Sequence, residues 1–184
     1  NGGLVVDWRG VPTSCSGETA HPDSVTISVS NVGTCSVEGN SKCEIQIRAR
    51  DGLNEGSDSE TYSIDFNPPT CSVSSITESS IYAHVDGTTV YYSTASTGSF
   101  TVGATSTDTG GSGVQKVTFP FIFDPLPPPT DGGDDTTSPY SMLYNWLTTS
   151  TFDSSATATC HDTVSPSHTS TASFTVNRDT ASPT

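Results

Sequence analysis

Two stretches of this 184-residue chain close in the same way, and that repetition most constrains what the chain can fold into. Tyr62-Ser63-Ile64-Asp65-Phe66 alternates apolar and polar residues and stops at Asn67-Pro68-Pro69-Thr70; Phe174-Thr175-Val176-Asn177-Arg178-Asp179 alternates likewise and stops at Ser182-Pro183-Thr184. Upstream of each, Ile45-Gln46-Ile47-Arg48-Ala49-Arg50-Asp51 and Ala156-Thr157-Ala158-Thr159-Cys160-His161-Asp162 are alternating segments that end on an aspartate. A period of two is the pattern of a half-buried strand, and proline cannot continue a central one. Self-similarity with a fixed grammar predicts two related β units in series, 1–69 and 70–184, joined by a Pro-Thr linker. Bounded on both sides by such linkers, and beginning without a leader pattern, the chain is expected to be either a processed product or an internal segment of a longer array.

The rest of the sequence agrees with an all-β reading. Serine and threonine make up about a third of the residues, charged residues only 14%, and there is a single methionine. Threonine suits a pleated surface, while glycine, proline, asparagine and aspartate suit the turns between strands. No apolar recurrence at three and four residues argues for a helix. In the first unit strands are expected at Leu4–Trp8, Val25–Val29, Thr34–Glu38, Ile45–Ala49 and Tyr62–Phe66. In the second they are expected at Ser72–Ile76, Thr89–Tyr92, Ser99–Ala104, Val114–Phe119, Tyr140–Leu147, Ala156–Cys160 and Phe174–Val176, a count that fits an immunoglobulin-like sandwich. Between them 120–139 reads as a long loop, because Pro125, Pro127, Pro128 and Pro129 block a central strand.

Charge bounds the partners. A net charge of −14 with six lysines and arginines leaves no basic stripe to neutralise phosphates, so nucleic acid is excluded as a partner class and anionic membrane surfaces are disfavoured. No run of apolar residues is long enough to span a bilayer, so no membrane insertion is expected.

Five cysteines without a Cys-x-x-Cys or a zinc spacing point to disulfides formed in an oxidising compartment. Cys35 and Cys43 flank Glu38-Gly39-Asn40-Ser41, read as a turn, and are expected to bridge that hairpin. Cys71 follows the linker directly and leaves two options open: Cys15–Cys71 would lock the joint between the units, and Cys71–Cys160 would staple the second.

The second unit carries a resemblance. Thr89-Val90-Tyr91-Tyr92, Gly98-Ser99-Phe100-Thr101-Val102, Ala104-Thr105-Ser106-Thr107-Asp108, Ser112-Gly113-Val114, Gly132-Gly133-Asp134-Asp135, Ser138-Pro139-Tyr140-Ser141, Tyr144-Asn145-Trp146, Ala158-Thr159-Cys160-His161-Asp162 and Ser173-Phe174-Thr175-Val176, with Asp179 and Pro183-Thr184, resemble bacterial Ig-like domains. The resemblance covers nearly all of 71–184; the first unit matches only at its last two strands and linker. It implies two tandem immunoglobulin-like β-sandwich domains of the kind that serve as stalks, adhesin shafts or filament material on secreted and surface proteins. Cys160 departs from the family pattern, which hints at a bridge there.

Asp108-Thr109-Gly110 is the triplet of aspartic proteases, but it occurs once and sits in a glycine-rich turn, and no nucleophile elbow or paired-histidine metal spacing is present, so the chain is read as a non-enzyme. His21, His84, His161 and His168 are scattered over loops and strand ends and read as exposed polar residues. Calcium is the one cofactor the sequence admits: Asp131, Asp134 and Asp135, or Asp51 with Asn54, Glu55 and Asp58, supply hard oxygens, although neither stretch has the local order that wraps an ion and a solvated loop explains both. Asp51, Asp65, Asp162 and Asp179 lie near strand ends or linkers, where an interdomain calcium could stiffen the joint or where aspartate simply caps turns.

Tyr91 and Tyr92 are adjacent, so one of them faces outward, and Tyr140, Tyr144 and Trp146 share a strand face. Exposed, such rings would make a carbohydrate platform; buried, Trp146 would be the core tryptophan of the sandwich. Trp8 reads as an interface residue. No Asn-x-Ser/Thr acceptor exists, whereas Thr13, Thr137, Ser138, Ser165, Ser167 and Thr184 lie beside prolines and are candidate O-glycosylation sites. The sequence therefore predicts an extracellular structural repeat forming a stalk, fibre or filament on a microbial surface, its partners neighbouring copies and covalent O-glycans. The alternative is an adhesin or carbohydrate-binding module using 120–139 and nearby aromatics.

Overall fold

The computed structural model describes residues 39–50, 55–123 and 131–180, and the chain divides into two compact units, Asn1–Ile64 and Asp65–Thr184. Every described element is a strand. Among the described residues no helix is long and apolar enough to cross a membrane, which says nothing of strand-built membrane proteins.

In the first unit, β1 (Gly39–Arg50) and β2 (Glu55–Ile64) pair antiparallel, from Gly39 opposite Ile64 to Arg50 opposite Glu55. The strand expected at Ile45–Ala49 lies inside β1. The turn expected at Glu38–Ser41 does not form there: Gly39, Asn40 and Ser41 belong to β1, and the register shifts between Gly39 and Cys43. Glycine and asparagine in a strand read locally as a turn, but a bulge accommodates them without ending the pairing. Cys43 is buried and disulfide-bonded. The expected Cys35–Cys43 pair, the strands before residue 39, Trp8, His21 and Asp51 lie outside the described residues.

The second unit holds β3 (Ser72–Glu78), β4 (Ala83–Asp86), β5 (Thr89–Ser93), β6 (Gly98–Thr105), β7 (Val114–Phe119), β8 (Gly133–Asp135), β9 (Tyr140–Trp146), β10 (Ser154–Asp162) and β11 (Thr169–Asp179). A six-stranded sheet runs β4-β5-β11-β10-β7-β8 and a three-stranded sheet β3-β6-β9, packed face to face as a sandwich. Neighbouring strands are antiparallel except β5 and β11, which run parallel with Thr89 opposite Thr175 and Ser93 opposite Asp179. The closing segments of both units, matched in the sequence, are antiparallel pairs: β1 with β2, and β10 with β11.

Alternation selects the core. Val90 and Tyr92 of β5, Phe100, Val102 and Ala104 of β6, Val117 and Phe119 of β7, Tyr140, Tyr144 and Trp146 of β9, and Phe174 and Val176 of β11 are buried at steps of two or four. The inward positions of β10 are small, Ala156, Ala158 and Cys160, which leaves volume for the rings opposite. Phe100 stacks on Tyr144 with centroids 5.3 Å apart, and Tyr92 lies 5.4 Å from Trp146. Gly98 has no room for a side chain, because a Cβ there would overlap the Trp146 ring. Gly103 faces the β3 irregularity between Val73 and Ser75, where a Cβ would stand 2.5 Å from Ser75 Oγ.

The segment expected to be a long open loop at 120–139 is in part structural. Ile122 and Phe123 enter the core, Asp131 is buried, and Gly133–Asp135 forms β8 on the edge of the large sheet.

Candidate functional site

One end of the second unit gathers the incoming chain, two loops and a covalent link. Pro69 is fully buried, and Ser170 Oγ donates a short hydrogen bond to its carbonyl. Thr70 zips onto Thr107: its N–H donates to the Thr107 carbonyl at 2.7 Å, its hydroxyl lies 2.7 Å from the Thr107 hydroxyl, and the Thr107 N–H donates to Thr70 Oγ1 at 3.0 Å. Ser106 Oγ donates to the Thr70 carbonyl at 2.7 Å. Cys71 is then bonded to Cys160 of β10, with Cα atoms 5.7 Å apart. This pairing settles the choice left open by the sequence, since a Cys71 bonded to Cys160 cannot also bridge Cys15. It also explains why the unit boundary falls at Ile64 rather than after Pro69: the Pro-Pro-Thr segment is packed onto the second unit.

Beside this attachment lie Asp65, Asp162 and His168, each placing one ligand atom within 4.8 Å of the others. Asp162 is wholly buried and closes the 162–168 loop on itself. Its Oδ1 accepts the His168 N–H at 2.9 Å, its Oδ2 lies 2.7 Å from His168 Nδ1, and its own N–H donates to the His168 carbonyl at 3.2 Å. Asp65 Oδ1 accepts the Asn67 N–H at 3.2 Å. Two carboxylates and an imidazole nitrogen fall short of the six to eight oxygens calcium takes; the donor set is that of a borderline transition ion. In the geometry present the cluster works as a clasp, with the ring and the carboxylate sharing a hydrogen bond. The histidine corrects the expectation of an exposed polar residue, and grouping it with Asp65 and Asp162 lay beyond sequence, which had marked only the two aspartates.

No protein-family model, curated protein or solved structure matches the chain.

Among the described residues Asp131, Asp134 and Asp135 do not gather into one metal-ligating group, and each has partners of its own. Asp131 Oδ2 accepts the Phe123 N–H at 2.8 Å; Asp134 takes Lys116 Nζ at 2.7 Å and the Thr118 hydroxyl at 2.6 Å; Asp135 accepts the N–H groups of Thr137 at 3.0 Å and Ser141 at 2.8 Å. Lys116 and Thr118 hydrogen bonds hold the Asp134 carboxyl below its ordinary range. Burial pushes Asp131 up despite the Phe123 N–H. A carboxyl raised on folding contributes stability below its unfolded value and loses it as pH rises through the folded one. Asp131→Asn, which keeps an acceptor for Phe123, is therefore expected to match the wild type in urea unfolding at about pH 3 and to be the more stable of the two at about pH 7. Equal midpoints at both pH values would show that Asp131 is not strained by burial.

Asp108 closes the glycine-rich turn it begins. Its Oδ1 accepts the Gly110 N–H at 2.9 Å, and its Oδ2 accepts the Ser112 hydroxyl at 2.9 Å and the Gly113 N–H at 2.8 Å. The aromatic platform is inverted. Tyr140, Tyr144 and Trp146 do share a face, but it is the inner one, and Tyr92 is buried too with its hydroxyl donating to the Phe152 carbonyl at 2.8 Å. Burial raises the Tyr92 hydroxyl above its ordinary value and the Tyr144 hydroxyl well above it. Tyr91 is the outward member of its pair, stacked on His84 at 6.3 Å. His161 is half-buried, its Nε2 lying 3.2 Å from the Thr118 hydroxyl. Of the acceptor candidates, Thr137, Ser138 and Ser165 are exposed; Ser167 is half-buried and donates to the Asp162 carbonyl at 3.1 Å; Thr13 and Thr184 lie outside the described residues.

Proposed function

We propose that this chain is a structural segment of an extracellular tandem array of immunoglobulin-like domains, a stalk, fibre or filament on a microbial surface, O-glycosylated on outward threonine and serine. The observation that carries the reading is the way the incoming linker is fixed. The last residues of the proline-rich linker are fixed onto the second unit: Pro69 is buried and accepts from Ser170, Thr70 is hydrogen-bonded to Thr107, and a disulfide follows at once. A lone binding domain has no need of such a joint; an array that must keep its direction from unit to unit does. The sheet order, with β5 joining β11 in parallel across from β3-β6-β9, is compatible with an immunoglobulin-like sandwich. Disulfides fit maturation in an oxidising compartment. Partners in this reading are neighbouring copies, meeting head to tail in contacts that do not close. Glycans on Thr137, Ser138 and Ser165 would shield sheet edges.

Electron microscopy of the native material, with intact mass on the same sample, tests this. Fibres with an axial repeat of several nanometres and a mass above the polypeptide value are expected. Discrete particles of unmodified mass would overturn the proposal.

One observation favours the adhesive alternative. A groove of about 300 Å³ is lined by Phe121, Asn145, Leu147, Thr149 and Phe152 among others, and Phe121 and Leu147 are about half exposed there. A binding role would rest on these residues and not on Tyr92 or Tyr140. Saturable glycan binding lost in Phe121→Ala would support it, and flat glycan arrays would remove it.

A further inference from the structure

We infer that the Cys71–Cys160 disulfide is a mechanical shunt: tension entering the second unit through its linker crosses to β10 through the disulfide, and the covalent path bypasses β3 to β9 and most of β10. The inference rests on the stalk reading for its purpose, but its geometry stands on its own. The incoming chain meets the disulfide at Cys71, immediately before β3, and the outgoing chain leaves through β11, the strand that follows β10. The shortest covalent path through the unit is therefore residues 65–71, the sulfur bridge, and residues 160–184. The residues between the two cysteines, at a sequence separation of 89, hold β3 to β9 and most of β10 and lie off that covalent path while the bridge is intact.

The path also decides what resists. Ahead of Cys71 stand isolated contacts, among them the Thr70–Thr107 zipper, the Ser106–Thr70 hydrogen bond and the Ser170–Pro69 hydrogen bond, which give way before a ladder does. Beyond it, Cys160 lies opposite Ser170 near the hairpin end of the β10–β11 ladder, while the outgoing force acts at the far end of β11, past Val176 opposite Ser154. The two forces pull these strands lengthwise past one another, so the ladder from Ser154 to His161 is loaded in shear and its hydrogen bonds share the load. The parallel pairing of Thr175–Asp179 with Thr89–Ser93 holds β11 from its other side. Without the bridge, tension would instead reach β3, an edge strand of the three-stranded sheet paired only with β6, and would strip the sandwich from there. The fold thus confines stretching to its last hairpin and keeps β3 to β9 off the covalent path.

The test is single-molecule stretching of the full chain held by its termini. The oxidised wild type is expected to reach a final contour length shorter than that of the Cys71→Ala, Cys160→Ala double variant by about 30 nm, the length of the shielded loop at about 3.3–3.6 Å per residue. The second unit of the wild type should also open at the higher force. Should the double variant fail to fold, a force clamp serves in its place: dithiothreitol added to the opened wild type should release a step of about 30 nm, distinct from the shorter step of the disulfide that holds Cys43. A wild type that already extends to the length of the double variant, or no such step with dithiothreitol, would overturn the shunt; equal opening forces in the two proteins would overturn the claim that it moves the resisting contact from β3 to β11. Neither result depends on fibres being seen, so loss of the stalk reading and loss of the shunt are distinguishable.

Discussion

Replacing Trp146 by alanine will cost the second unit about 3–5 kcal/mol, the range for removing a large buried ring, and will cost more than any single change on its outer faces. Trp146 is 1% exposed and sits where the two sheets and the 120–123 segment meet: its ring lies 5.4 Å from Tyr92, 6.3 Å from Phe100 and 6.5 Å from Phe123. Its indole N–H is shared between the carbonyls of Ser93 at 3.1 Å and Ser96 at 3.0 Å, so it also pins the turn between β5 and β6. The Gly98 position belongs to the same arrangement, because the backbone there approaches the ring too closely for any side chain. Alanine leaves a cavity walled by rings that cannot collapse without leaving their rotamers, and it orphans two carbonyls. Trp146→Phe separates the two effects. It keeps most of the volume and loses the hydrogen bonds, and is expected to cost about 1–2 kcal/mol. Urea unfolding followed by circular dichroism reads both, since each variant loses the Trp146 fluorescence and keeps only that of Trp8. A loss below about 1 kcal/mol for the alanine variant would mean that the aromatic cluster is not what holds the sheets together.

The strands were legible where pairing and burial act together. β7 lies where alternation put it, and β5, β6 and β9 differ from expectation by a residue or so at their ends, because each carries two or more inward residues that announce a period of two. β4 and β8 were missed for the converse reason. Ala83–Asp86 offers only Ala83 and Val85 to the core, half-buried, and Gly133–Asp135 offers no apolar residue; both exist because a neighbouring strand supplies hydrogen bonds. The inward face of β9 was readable as a face but not as inward, which is why Tyr140, Tyr144 and Trp146 admitted both a platform and a core. The acidic loop misled more deeply. Local order shows which oxygens are near one another in sequence, whereas Lys116 and Thr118, which claim Asp134, arrive through the pairing of β7 with β8, and the Ser141 N–H claims Asp135 across the turn into β9. The clasp of Asp65, Asp162 and His168 is tertiary in the same sense, although the repeated aspartates at strand ends were a fair pointer to two of its members.

Removing the Cys71–Cys160 disulfide is the second change expected to have a large effect, and it should act on the unfolded chain more than on the folded one. An 89-residue separation places the loop where chain-entropy arguments give about 4–5 kcal/mol for a cross-link. The folded unit has independent means of keeping the two positions together: the Thr70–Thr107 zipper and the buried Pro69 hold the incoming chain, and the β10–β7 and β10–β11 ladders hold Cys160. The native structure of a Cys71→Ala, Cys160→Ala variant should therefore be retained, while its unfolded ensemble expands. Two signatures follow together: a stability lower by about 4 kcal/mol and a steeper dependence on urea, because more surface becomes exposed on unfolding when the loop is no longer tied. Alanine is chosen at both positions because Cys160 is wholly buried among Val117, Ala158 and their neighbours, where a serine hydroxyl would add an unrelated burial cost. A fall in stability with an unchanged urea slope would place the effect in the folded state instead, and would mean that the disulfide, not the threonine zipper, holds the linker against the second unit.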